Sequence, residues 1–147
     1  MDKSVVLVTG GNGDIGQGVV RKILDQTDKR IVITVTPQNK GKHNFGDRVK
    51  EVVMDASDIT SVEIAISKIC LNQITHFIQV HGSSDINDRL DLQNYQRLIY
   101  HNNINIFSTI LIIQEVLKGM KEREYGRICL MGTASPGHCG GLDSFGY

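Results

Sequence analysis

Apolar and polar positions along the chain follow two alternating rhythms. Short apolar runs rich in Val and Ile fall at Ser4 to Val8, Arg30 to Thr36, Val49 to Met54, Thr75 to Val80 and Arg127 to Met131. Several are continuous, as strands covered on both faces tend to be. Between them, apolar residues recur at helical spacing, which predicts helices over Ile15 to Gln26, Ile59 to Leu71, a stretch around Leu92 to Tyr100, and Asn103 to Arg123. In the last of these, Ile106, Ile110, Ile113, Leu117 and Met120 form the expected buried stripe. Such alternation predicts an α/β fold: a doubly wound parallel sheet in three layers, with right-handed crossovers. No repeat, low-complexity tract or linker interrupts it, so residues 1–147 read as one domain.

In a sheet of this kind ligands bind in the crevice outside the carboxyl ends of the strands. The first crossover carries the strongest signal. Val5-Val6-Leu7-Val8 runs directly into Thr9-Gly10-Gly11-Asn12-Gly13-Asp14-Ile15-Gly16, which opens the helical stretch Val19 to Leu24. Glycines in such a turn let the main chain approach a pyrophosphate without a Cβ in the way. The first-turn amides of the helix then point at the phosphates, helped by the positive end of the helix dipole. Read as GxGxxG, the match is Gly11, Gly13 and Gly16, and its position between strand and helix makes it a dinucleotide-binding element.

Composition narrows the remaining classes. With a formal net charge of zero and 22% charged residues, no basic field is present to hold nucleic acid or anionic lipid. No apolar stretch approaches the ~20 residues that span a bilayer, so neither a membrane nor nucleic acid is an expected partner. Cys70, Cys129 and Cys139 make an odd set without C-x-x-C spacing, which fits reduced thiols and a cytoplasmic location. His138-Cys139 is a close pair of soft ligands, read as a plain loop, and no metal is expected.

The strand ends supply further candidates. About 20 residues beyond the glycine turn, a carboxylate would hold the ribose 2′-hydroxyl of NAD. Thr36 stands there instead, with Gln38, Asn39, Lys40 and Lys42 nearby. These can accommodate a 2′-phosphate, which favours NADP over NAD, and they equally form a solvated turn started by Pro37. Asp58 precedes a helix and reads as its N-cap. His81, a lone histidine at a strand end, reads as structural, and Asp85, Asp88 and Asp91 as a solvated loop and helix start.

Taken as T-G-x-x-x-G-x-G, the turn resembles the short-chain dehydrogenase/reductase family, with Thr9, Gly10, Ile15 and Gly16 in place. Asp14 replaces the family's middle glycine and fits beside a pyrophosphate if it turns away, as a helix N-cap does. Further matches are Asp55 in Met54-Asp55-Ala56-Ser57-Asp58, Gly82 in Gln79-Val80-His81-Gly82, and Asn105-Ile106-Phe107 followed by Met120 and Gly126-Arg127-Ile128. The resemblance implies a Rossmann-like fold and an NAD(P)-dependent oxidoreductase that moves hydride between nicotinamide and a carbonyl or secondary alcohol. It implies cofactor contacts at Gly10, Asn12, Gly13, Asp14, Ile15, Gly16, Thr36, Asp55, Ala56, His81 and Gly82, with Asp55 on the adenine and His81 offering its backbone. Asn105 takes the place of the catalytic asparagine that holds a relay water. Thr133, seven residues after Gly126, takes that of the catalytic serine, with Ser135 as the competing candidate, and Tyr147 that of the catalytic tyrosine.

In the family a lysine follows that tyrosine by four residues, and position 147 is the last here. The expectation is therefore a family domain truncated after its fifth strand, with that strand and one face of the long helix exposed. Such a chain alone is expected to bind NADP(H) weakly and to turn over negligibly. The resemblance implies a small carbonyl or alcohol substrate and a homo-oligomer. A non-catalytic dinucleotide binder, and a subunit completed by strand addition from a partner, stand as alternatives.

Overall fold

The structure is a computed structural model that describes residues 4–83 and 95–132. The first apolar run forms β1, Val5–Thr9, buried at every position. After it come α1 (Asp14–Gln26), β2 (Arg30–Val35), a 3-10 turn (Pro37–Asn39), β3 (Val49–Val53), α2 (Ile59–Ser67), a second 3-10 turn (Leu71–Gln73) and β4 (Ile74–Gln79). A long helical run completes the crossover to β5 (Arg127–Leu130): α3 (Tyr95–Asn102), a π segment (Asn103–Phe107) and α4 (Ser108–Glu122). All strand pairs are parallel, in the order β3-β2-β1-β4-β5. This is the doubly wound sheet that the alternation predicts.

Strand residues alternate between the two faces, and each face has its own core. Val5 and Leu7 of β1 pack with Val62 and Ala65 of α2 and Ile112 and Val116 of α4. Val6 and Val8 pack on the other side with Val20, of α1, and Ile31, Ile33 and Val35 of β2. The apolar runs look unbroken in sequence because both faces are covered. β5, at the end of the described sheet, has all four residues exposed.

The long helix departs from expectation in two ways. It is continuous from Tyr95 to Glu122 rather than two helices, with the π segment at the expected break. Its buried stripe is also rotated: Ile104, Ser108, Thr109, Ile112, Val116, Gly119 and Met120 face inward, whereas Ile106 and Ile110 are about half exposed. Of the expected stripe only Met120 is fully buried, with Ile113 and Leu117 intermediate. The helix offers two adjacent apolar stripes, and periodicity alone cannot choose between them. Gly119 fits the observed rotation, because a Cβ there would stand 2.7 Å from Cα of Asn72, so this face comes very close to the turn that precedes β4.

Candidate functional site

A cleft of about 570 Å³ opens at the carboxyl ends of β1 to β4, between the start of α1 and the π segment. Its glycine wall follows from close approaches. Gly10 has φ +71°, and a Cβ on it would stand 2.8 Å from the His81 amide nitrogen, so β1 and β4 can converge only with glycine there. A Cβ on Gly16 would overlap the Gly10 carbonyl oxygen, which locks α1 against the turn. At Gly13, by contrast, the nearest atom to such a Cβ is 3.5 Å away; the fold does not need glycine there, whereas a ligand lying on the backbone would. Gly13 is also the N-cap of α1, with no side-chain cap hydrogen bond, so the first-turn amides stay open for an external anion. Asp14 is thus not the cap but an exposed residue of the first helical turn.

The other walls are set by hydrogen bonds. The Gly10 amide donates to Thr34 Oγ1 at 3.0 Å, tying the turn to β2. Asp55 Oδ1 accepts from the Ser57 amide at 2.9 Å and from the Ser57 hydroxyl at 2.6 Å, an Asx turn that leaves its second oxygen outside these bonds. Asp58 is the N-cap of α2, its side chain accepting from the Thr60 amide. Asn103 Nδ2 donates to the Ser57 carbonyl at 2.8 Å and so holds the π segment against this wall.

His81 bolts the cleft floor together. Its Nε2 lies 3.0 Å from the Ile104 carbonyl, which can only accept, so Nε2 carries the proton and Nδ1 accepts from the Thr9 hydroxyl at 2.7 Å. Ser108 Oγ is 2.9 Å from the same Nε2. Burial pushes the imidazole pKa down to about 4, although the bond to the Ile104 carbonyl works the other way. The ring is therefore neutral at pH 7 and joins β1, β4 and the long helix. Buried Gln79 adds a second tie: Nε2 donates to the His81 carbonyl, and Oε1 accepts from the Met131 amide just past β5.

Asn105 lies inside the π segment. Its Oδ1 accepts from the Ser83 amide and its Nδ2 donates to the Ser83 carbonyl, both at 2.8 Å. The carboxamide thus clamps the loop that leaves β4. Extra backbone groups freed by a π turn often accompany functional sites.

A family model described as short chain dehydrogenase matches residues 4–137. The chain belongs to that family. A 3-oxoacyl-(acyl-carrier-protein) reductase from Buchnera aphidicola is 25% identical across all of this chain and 61% of its own length. Among solved structures, a point variant of ElxO with NADPH bound superposes with a TM-score of 0.80 at 22% identity, over 95% of this chain and 59% of that one. Serine dehydrogenase from Escherichia coli gives a TM-score of 0.77 at 19% identity, over 90% and 63%. These two likenesses describe the fold. The chain thus spans about three fifths of the length of the relatives it matches.

For a short chain dehydrogenase the cleft is where the cofactor positions should meet. Gly10, Asn12, Gly13, Asp14, Ile15, Gly16, Thr36, Asp55, Ala56, His81 and Gly82 all line it. Asn105 adjoins it through Ser83, which is itself a lining residue. Thr133, Ser135 and Tyr147, like the aspartates at 85, 88 and 91 and the pair His138-Cys139, lie outside the described residues. Sequence reasoning passed over Thr34, Met54, Tyr100 and Ile104, which also line the cleft. Thr34 and Met54 were hidden inside apolar strands. Tyr100 and Ile104 stand four residues apart along the long helix, a spacing that shares one face, but nothing local says that this face meets a cleft.

Proposed function

We propose that the chain forms the dinucleotide-binding part of an NAD(P)-dependent oxidoreductase, acting between nicotinamide and a carbonyl or secondary alcohol carbon. The supporting observation is the convergence of every implied cofactor position on one cleft whose glycine wall is bare at Gly13 and whose helix N-terminus is uncapped. In this reading the first-turn amides of α1 hold the pyrophosphate, Asp55 meets the adenine, and Thr36 with Asn39 borders the ribose. NADP is favoured, because Thr36 stands where a carboxylate would repel a 2′-phosphate, and Lys40 and Lys42 follow close by.

The bound nicotinamide supplies or accepts the hydride. Thr133 orients the substrate oxygen through its hydroxyl, Tyr147 moves a proton to or from it, and Asn105 supports the relay. Assembly with further copies of the chain belongs to the same reading. It fits the exposed Ile106, Phe107 and Ile110, which sedimentation velocity tests directly. Calorimetric titration with NADP and NAD decides the central claim. Binding of NADP ahead of NAD is the expected result, and a folded sample that releases no heat with either at millimolar concentration refutes the reading.

A further inference from the structure

At the amino ends of the strands, across the sheet from the cleft, a second basin of about 300 Å³ opens beneath β1, β2 and β4. Its floor is apolar, built on Val5, Ile31 and Ile74, each 6% exposed or less. Arg30, Arg48, Lys50 and Lys68 line it against a single carboxylate, Asp47. On a chain with zero formal net charge, that is a marked local excess of positive charge.

The fold accounts for part of this excess. Arg48 donates to the carbonyls of Thr27 at 2.5 Å and Leu24 at 2.7 Å, closing the carboxyl end of α1. Lys68 is the C-cap of α2, where a cation offsets the helix dipole. Arg30 and Lys50 serve no helix end. Lys50 pairs with Val32, two residues along β2 from Arg30, so the two cations occupy diagonal positions on one face of the sheet. Like charges so placed repel. Neither they nor Lys68 make an ion pair or a side-chain hydrogen bond among the described residues. An uncompensated basic ring over an apolar floor, at the small end of the range for ligand pockets, is what an anion with an apolar body would complete.

We propose that this basin binds a small molecule carrying an apolar body and at least two phosphate or carboxylate groups, independently of the dinucleotide cleft. Cys70 lines the basin and is exposed, so it serves as a local reporter. Its alkylation by iodoacetate and by neutral iodoacetamide, read by peptide mass spectrometry, compares an anion with a near-isostere on one thiol.

The expected iodoacetate-to-iodoacetamide rate ratio at Cys70 exceeds that of 2-mercaptoethanol by about tenfold at low salt. It should collapse in the double variant Lys50→Gln, Lys68→Gln, both surface positions. Pyrophosphate or tricarballylate should slow alkylation, and whichever is stronger identifies phosphate or carboxylate as the preferred group. A ratio equal to that of the free thiol, or no protection by either anion, overturns the proposal. Because the reporter sits outside the cleft, this outcome is independent of whether NADP binds.

Discussion

At Gly13 and Gly16 the same residue type answers two different demands. Gly16 is required by the protein's own backbone, whereas Gly13 is not, and in the proposed dinucleotide reading it leaves the backbone bare for a ligand. Gly16→Ala should therefore cost stability, about 1–3 kcal/mol or more as an overpacked contact, seen as a lower urea midpoint. Gly13→Ala should keep that midpoint and weaken NADP binding in calorimetry. His81 makes a second prediction at this scale. Its pKa falls from 6.5 when unfolded to about 4 when folded, so the unfolded chain binds the extra proton between those values. The stability linked to this group is complete above pH 6.5 and is lost as pH falls towards 4, by roughly 3 kcal/mol in all. Urea midpoints across that range should show the slope, and a non-titrating His81→Gln variant should lack that component.

Elements follow from local signals where one competing interaction is enough. Asp58 was legible as an N-cap because the side chain needs only the amide two residues on. Asp58→Ala should cost about 1 kcal/mol by thermal or chemical unfolding. The long helix was legible as a helix but not in its rotation, since apolar residues fall on two adjacent stripes and contacts with distant elements, among them the close approach of Gly119 to Asn72 and the packing of Ile112 and Val116 on β1, select one. Ile112, 2% exposed, and Ile110, 46% exposed, make the comparison direct. Ile112→Ala should lose about 2–5 kcal/mol, whereas Ile110→Ala should stay within about 0.5 kcal/mol. Equal losses at concentrations where sedimentation shows a monomer would mean that the helix is turned differently from the structure.

Across the whole molecule, burial is graded from the central strand to the margin: β1 is buried throughout and β5 is exposed throughout. Native-state hydrogen exchange should rank their amides in that order, with β1 opening only on global unfolding and β5 the least protected strand. Protection of β5 equal to that of β1 would contradict this gradient. The sequence by itself determined the βαβ order, the parallel sheet and the glycine turn, because each depends on periodicity and backbone freedom within a few residues. It also pointed to candidate cofactor positions at the strand ends, and because a parallel sheet brings those ends to one crevice, these residues line a single cleft. Only the tertiary structure decided the inward face of the long helix, the three elements joined by the His81 ring, the clamp of Asn105 on Ser83, and the gathering of Arg30, Lys50 and Lys68 around one basin. Those features depend on which distant residues pack together, and contacts between sequence-remote side chains leave no period in the chain to read.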